Sequence, residues 1–353
     1  MRRLDAGFSD EVVVGTKKVG MKGQHITRQR WAIVLAGGDG VRLRGLTRRI
    51  DGDGRPKQFS RIFGDRSLLS HTRERLKPIF GDNRSMFVVT KEHESFYTEE
   101  LADVDPSCVL EQPANRGTGV AIIAALLQML EHEVDAIVGI FPSDHYYADN
   151  AAFAAMVNSA INVSSERDDS IVLIGAKPEW PEVEFGWIEP GVLIRNETRT
   201  PLFGVSRFCE KPRLAEARSL MRKGGLWNTF ITIGRAGAFL KLLSATVLPA
   251  MTSMAEAVVR GNLDSVYNQI EPIDFSKHVL SMEPGGLLVM ADNTSGWADL
   301  GNQARVIKTL DRNNTEPAWL REMRRSDVAA QVNLQVHVGH ERARVVMRNT
   351  ATV

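Results

Sequence analysis

The sequence is short of several things, and each shortage excludes something. Only two cysteines, Cys108 and Cys209, occur in 353 residues, and nothing around them has metal-ligand spacing. That pattern fits a reduced, cytoplasmic setting. The net charge is +1, so no bulk field recruits nucleic acid or an acidic membrane, and any anion chemistry must come from local placement. No apolar run approaches the roughly 20 residues that span a bilayer. The basic N-terminus lacks the apolar stretch of a signal peptide. Familiar catalytic signatures are missing too. His93-Glu94 is followed by Ser-Phe-Tyr, so the zinc pattern His-Glu-x-x-His is absent. There is no Gly-x-Ser-x-Gly elbow, no internal repeat and no low-complexity tract. What remains is an ordinary globular balance, 43% hydrophobic and 25% charged, in a chain long enough for one large domain or two moderate ones.

Short apolar runs alternate with longer amphipathic segments. The strands expected first are Trp31–Ala36, Met86–Thr90, Cys108–Glu111, Ala136–Phe141 and Ile171–Gly175, with helices at Ser67–Lys77, Glu94–Ala102, Gly117–Glu131 and Ala151–Ser164 between them. Strand and helix in alternation is the pattern of a parallel sheet covered on both faces. After Gly175 the pattern changes: "FGWIEPGVLI" and "LFGVSRFCEKP" read as paired strands. Helices follow at Leu214–Lys223, Ala236–Ala245 and near 250–270, and a last strand at Leu287–Ala291. Residues 1–29 read as a loose extension in which Met21 is an alternative start. Residues 316–353 read as a tail, with an alternating stretch at 331–346 that suggests an edge hairpin. The main domain is expected over 30–315, with halves at about 30–175 and 176–315.

The chemistry begins at "AIVLAGGDGVRLRGLTRRIDGDGRPKQF", Ala32 to Phe59. Glycines after a strand let backbone N–H groups approach phosphate oxygens closely, and ligands of open α/β sheets bind beyond the carboxyl ends of strands. The loop is neither a P-loop nor Gly-x-Gly-x-x-Gly opening directly into a helix. It carries Arg42 and then Lys57, two fixed cations that suit a triphosphate. A plain glycine turn with solvated basic residues would look the same. In "EQPANRGTGVAI", Asn115, Gly117 and Thr118 stand at a helix start, where Thr118 reads first as a cap and otherwise as one of several groups facing a nucleobase. Asp144 of "FPSDH" ends an apolar strand, a position that suits Mg²⁺, which takes few carboxylates plus substrate phosphates; His145 beside it need not be a ligand. A cap or surface turn is the alternative for Asp144, as it is for Asp299 of "SGWADLGN", the candidate second metal carboxylate. In "FCEKP" and "LWNTF", Glu210 can accept from sugar hydroxyls, Lys211 can hold a phosphate, and Asn228 offers donors and acceptors to a sugar rim. Taken singly, each of these three reads equally as an ordinary strand end.

Their order along the chain says more. A Gly-Gly-x-Gly-x-Arg-Leu loop, "PKQF", Pro-x-Asn-x-Gly-Thr, "FPSDH", Phe-x-Glu-Lys-Pro and Trp-Asn occur in that sequence. The whole resembles the sugar-1-phosphate nucleotidylyltransferases, most of all the mannose-1-phosphate guanylyltransferase branch, over roughly residues 30–310. The resemblance implies an α/β, Rossmann-like doubly wound mixed sheet of the nucleotide-diphospho-sugar transferase type, with a sugar-binding second half. It implies Mg²⁺, and attack by the phosphate of a sugar-1-phosphate, in this branch mannose-1-phosphate, on the α-phosphate of GTP or another nucleoside triphosphate. By the same resemblance Gly37, Gly38 and Gly40 cradle the nucleotide, and Arg42 and Lys57 meet the leaving and reacting phosphates. Asn115, Gly117 and Thr118 lie by base and ribose, Asp144 and Asp299 hold metal, and Glu210, Lys211 and Asn228 face the sugar phosphate. The sequence departs from the family at Gly45, where proline is usual, and in Gly-Thr-Gly-Val for Gly-Thr-Ala-Pro. It departs again at "WNTFITI", where Trp-Asn-Ser-Gly is common. The extra "RRIDGDGR", Arg48–Arg55, is expected to be a mobile flap ordered by nucleotide, and the tail is too short for the β-helix domain of some relatives. A nucleotide-sugar-dependent glycosyltransferase and a non-catalytic sensor on the same fold stay open, as does homo-oligomerisation.

Overall fold

The computed structural model describes residues 28–196, 200–260 and 262–326. Among them nine strands form one sheet: β1 Arg30–Leu35, β2 Ser85–Thr90, β3 Val109–Gln112, β4 Ile137–Pro142, β5 Ile171–Ala176, β6 Gly186–Arg195, β7 Leu202–Glu210, β8 Leu226–Arg235 and β9 Leu287–Asp292. The order is β3-β2-β1-β4-β8-β5-β9-β7-β6. The first four strands run parallel. β8 then enters antiparallel to both β4 and β5, so the sheet is mixed at its centre. The sequence offered only a strand end at "LWNTF" and no strand over the whole of Leu226–Arg235, nor its place between β4 and β5.

Alternation along β1 divides the core. Trp31 and Ile33 face one side, with the helix Gly117–His132 and the helix Ala236–Arg260. Ala32 and Val34 face the other, with Leu69 and Leu76 of Leu68–Phe80 and Phe153 and Met156 of Asn150–Glu166. Period-2 burial on both faces explains why these strands read as unbroken apolar runs. The helix Ala236–Arg260 is, by length and composition, apolar enough to cross a membrane, which corrects the reading that no such stretch exists. Val247 (φ −137°, ψ 38°) breaks it two residues before Pro249, in keeping with proline's missing N–H. Phe239, Leu243, Met254 and Ala257 bury themselves in the core.

A smaller core lies at one end of the sheet and corrects two expectations. Arg48–Arg55 is not an open flap. Arg44–Asp51 is a helix ending at Gly52 (φ +89°), and Leu43 and Leu46 bury against Leu300, Val306 and Leu310. Asp51 accepts hydrogen bonds from Ser60 Oγ at 2.5 Å and Arg61 Nε at 2.9 Å. The boundary at 315 also falls inside a packed unit. Residues 318–326 are helical, Leu320 joins the same small core, and Trp319 Nε1 donates to Ile62 O at 3.0 Å. At the other terminus Gln29 O accepts from Ile137 N at 2.9 Å and Arg28 pairs with Asp135 at 3.0 Å, so these two residues belong to the fold. The alternating stretch at 331–346 and residues 1–27 lie outside the described residues.

Candidate active site

Parallel pairing of β1 and β4 puts Leu35 opposite Pro142. The glycine loop after β1 and the Ser143-Asp144 turn after β4 therefore leave the sheet side by side. Ser143 Oγ donates to Leu35 O at 2.7 Å and ties the two exits together. Antiparallel β8 brings its amino end, with Asn228, to the same edge, and the end of β7 adds Glu210. A cavity of about 360 Å³ opens there. Gly38, Arg42, Asp144 and Asp299 line it with Thr118, Glu210, Lys211 and Asn228. Ligand sites at the carboxyl ends of strands are what such a sheet provides.

Five of the expected site residues do not line the cavity: Gly37, Gly40, Lys57, Asn115 and Gly117. A Cβ on Gly37 would sit 2.4 Å from Gln112 Nε2, and one on Gly40 (φ +58°) 2.7 Å from Lys57 N. A Cβ on Gly117 (φ +83°) would lie 2.5 Å from Ile273 O. Gly40 and Gly117 are required by close backbone approach and turn geometry, whereas Gly37 is closed in by the side chains of Gln112 and Thr90. Gly38 differs, since a Cβ there would meet nothing within 4 Å. Gly38→Ala is therefore expected to leave the melting temperature within about 2 °C and to weaken nucleotide binding, while Gly40→Ala lowers the melting temperature by several degrees, of order 1–3 kcal/mol of strain. Thermal melts beside nucleotide titrations check this, and a Gly38→Ala protein that binds as the wild type does would count against a ligand at that loop.

Thr118 does not cap its helix. Its Oγ1 accepts from Phe275 N at 3.0 Å, while Asn115 Oδ1 accepts from Gly117 N at 3.0 Å, a turn that leads into the helix. Asn115 Nδ2 also donates to Asp39 of the glycine loop at 3.2 Å. Asp144 and Asp299 are not caps either, because the helices that follow them are capped by Asp149 and Asn302.

Lys57 is almost wholly buried, 7% exposed. Its ammonium lies 3.1 Å from Asp144 Oδ2 and donates to Asp299 O at 2.5 Å and Leu300 O at 3.4 Å. One cation thus ties the Asp144 carboxylate to the backbone of Asp299. Burial opposes ionisation of Asp144, and the charges of Lys57 and His145 outweigh it, holding its carboxyl below the ordinary value. The sign follows: as pH falls the unfolded chain takes up the proton first, so the pair's contribution is complete above the ordinary Asp value of about 4 and is lost as pH falls through the lower folded value. Asp144→Asn is expected to flatten the acid limb of the melting profile below about pH 5; superimposable profiles for the two proteins would contradict the pair.

Asp299 Oδ2 accepts from Arg305 Nη1 at 2.9 Å, and Arg305 also pairs with Glu182 and, at 3.0 Å, Glu184. Glu184 faces Arg42 at 3.4 Å with both side chains largely exposed. An exposed pair contributes little, about 0–1 kcal/mol, so Arg42 can exchange it for a bound phosphate. Elsewhere in the lining Lys211 pairs with Glu210 Oε1 at 3.2 Å. Burial raises the Glu210 carboxyl against the pull of Lys211, and Glu210 Oε2 is buried without a hydrogen-bond partner. Asn228 Oδ1 accepts from Phe230 N at 3.0 Å.

The site also holds residues that the sequence did not single out. Gln58 donates through Nε2 to Ala36 O and Gly38 O, both at 2.8 Å, and so fixes the glycine loop; its place in "PKQF" was the available signal. Glu184, Gly186, Asp274 and Ser276 also line the cavity. Asp274 and Ser276 carry no motif and arrive only because Ile273 packs on Gly117 and Gly119.

The two carboxylates fit Mg²⁺ by donor chemistry. Among the described residues no group of three or more His, Cys, Asp or Glu could hold a metal, so an ion held by Asp144 and Asp299 would need oxygen from substrate phosphates or water, as Mg²⁺ commonly does.

A mixed α/β sheet with a glycine loop, basic residues and two aspartates lining one cavity describes a nucleotide-binding protein built to handle phosphates. The nucleotidyl transferase family model matches residues 31–313, and the chain belongs to that family. It is similar to the xanthan biosynthesis protein XanB of Xanthomonas campestris pv. campestris (strain ATCC 33913), 30% identical over 290 residues, covering 79% of this chain and 59% of that protein. Mannose-1-phosphate guanylyltransferase of Escherichia coli is 26% identical over 337 residues, 91% of this chain and 69% of that protein. The chain therefore spans about 59–69% of the length of these relatives. A crystal structure described as mannose-1-phosphate geranyltransferase from Thermus thermophilus superposes with a TM-score of 0.68 at 26% identity, covering 82% of this chain and 80% of that one. Such neighbours place the chain in the nucleotide-diphospho-sugar transferase fold.

Proposed function

We propose that the chain transfers a nucleotidyl group from a nucleoside triphosphate, GTP, to a sugar-1-phosphate, mannose-1-phosphate, giving GDP-mannose and pyrophosphate with Mg²⁺ bound. The observation that carries this reading is one cavity lined by two chemically distinct sets of residues. Gly38, Arg42, Asp144 and Asp299 form one set of its lining residues, with Lys57 buried against Asp144, and Glu210, Lys211 and Asn228 form the other. The relatives named for guanylyl transfer to mannose-1-phosphate support the choice of base and sugar.

The nucleophile is an anion already present on the sugar phosphate, so the protein needs no general base. Its task is positioning and charge neutralisation. Gly38 leaves room for phosphate at the loop backbone. Arg42, released from Glu184, meets the leaving pyrophosphate. Lys57 holds Asp144 and the Asp299 backbone in register and sets positive charge near the reacting phosphate. Glu210, with one oxygen free of protein partners, accepts from a sugar hydroxyl; Lys211 faces the sugar's phosphate and Asn228 the sugar rim. When bound, Mg²⁺ supplies neutralisation of the developing phosphate charge. Asn115 and Gly117 act at one remove from the cavity, by setting the helix start that presents Thr118.

A panel of nucleoside triphosphates against sugar-1-phosphates, scored by pyrophosphate release, tests the reading. GTP with mannose-1-phosphate is expected to be the best pair, and a folded protein inert across the panel would sink the proposal.

A further inference from the structure

Phe230 sits in a backbone conformation that residues with a Cβ rarely adopt. Its φ is +69°, in the left-handed region that glycine enters without steric cost. The strand pairing shows how it arises. Leu173 of β5 faces Thr232 of β8, yet Gly175 faces Asn228. Two steps along β5 are matched by four along β8, and the surplus bulges out of the ladder. Bulges beside active sites re-aim side chains. Here Asn228 Oδ1 accepts from Phe230 N at 3.0 Å and Phe230 O accepts from Thr232 Oγ1 at 3.2 Å, so the bulge is fixed on both sides of the residue.

At the bulge Phe230 lines the cavity and also packs, partly buried, against the core that holds Phe275. Its ring lies 6.2 Å from the ring of Phe275, whose N–H holds Thr118, and two residues from Asn228. Phe230 therefore shares the cavity lining with Thr118, Glu210, Lys211 and Asn228. A glycine would follow the same backbone without strain. A strained aromatic held in a cavity wall points to a ligand contact.

We propose that Phe230 is a specificity-determining residue that selects the sugar by size. Its flat apolar face lies against the C–H face of an unmodified hexose ring, while Glu210 and Asn228 take hydroxyls. It leaves no room for a ring substituent as large as an N-acetyl group. The proposal rests on the sugar-1-phosphate reading above and narrows its substrate class to hexose-1-phosphates.

The test is steady-state kinetics of wild type, Phe230→Gly and Phe230→Asn with GTP, mannose-1-phosphate and N-acetylglucosamine-1-phosphate, each variant checked by thermal melt. Asparagine also tolerates the left-handed backbone and serves where the glycine variant does not fold. Both are expected to raise KM for mannose-1-phosphate about tenfold and to raise the ratio of kcat/KM for the N-acetyl sugar over mannose-1-phosphate by at least about tenfold, with KM for GTP unchanged. A purely structural role would shift the melt and leave that ratio where it was. An active wild type whose sugar ratio neither variant moves, or whose variants change KM for GTP instead, overturns the role of Phe230 alone. A wild type inert with every sugar phosphate overturns the transferase reading and this one with it.

Discussion

Lys57→Ala is expected to lower turnover about a hundred- to thousandfold, the usual cost of removing one preorganised charge from a reacting phosphate, and to lower the melting temperature as well. The second effect follows from the structure and differs from what the motif alone suggests. A lysine in a phosphate loop would be solvated and dispensable to the fold. Lys57 is instead buried, paired with Asp144 at 3.1 Å and bonded to two backbone carbonyls. Removing it leaves the Asp144 carboxylate and the Asp299 carbonyl without a cation, and breaking a buried pair is destabilising even where forming one contributes little. Asp144 is partly open to the cavity, which moderates the loss. Lys57→Arg restores charge but not the fit of a compact ammonium between a carboxylate and two carbonyls, so it is expected to recover stability more than turnover. Steady-state rates beside thermal melts of both variants check this. Wild-type turnover in Lys57→Ala would remove Lys57 from the site.

Asp299→Ala is expected to act on activity and spare the fold. Arg305 loses one partner but keeps Glu182 and Glu184, so no buried charge is left alone. The loss falls on the cavity, which Asp299 and Asp144 both line and where we propose that they hold Mg²⁺. Turnover is expected to fall about a hundredfold or more, and the Mg²⁺ concentration for half-maximal rate to rise. A variant with unchanged Mg²⁺ dependence would show that Asp299 serves only to orient Arg305.

The first half of the fold was legible because its signals are local. β1 and β4 are apolar runs ending in glycine and in Pro-Ser-Asp, and each motif keeps its meaning wherever its strand lies. Parallel pairing then brings the two together with little more information. β8 was hidden for the opposite reason. "LWNTFITIGR" is buried almost throughout but breaks its apolar run with Asn228, Thr229 and Thr232, and its central place depends on partners distant in sequence, in β4 and β5. The glycines were legible as glycines but not by role: Gly37, Gly40 and Gly117 answer to neighbours in space, and of the loop and helix-start glycines Gly38 faces open room. Arg48–Arg55 read as a flap because of its arginines and glycines, although Leu43, Leu46 and Ile50 already form one apolar face at helical spacing. Asp274 and Ser276 could not have been found, since nothing in "EPIDFS" carries chemistry until Ile273 docks on the helix start at Gly117.

The central claim is that the sugar's phosphate attacks the α-phosphate at this cavity and that pyrophosphate leaves. The most direct measurement follows two labels with the purified chain, Mg²⁺ and mannose-1-phosphate. From GTP labelled at the α-phosphate, the label is expected in GDP-mannose; from GTP labelled at the γ-phosphate, it is expected in pyrophosphate, and neither product is expected to form when the sugar phosphate is left out. Label released from the γ-position as orthophosphate, or α-label recovered in GDP or GMP with no sugar attached, would contradict the account.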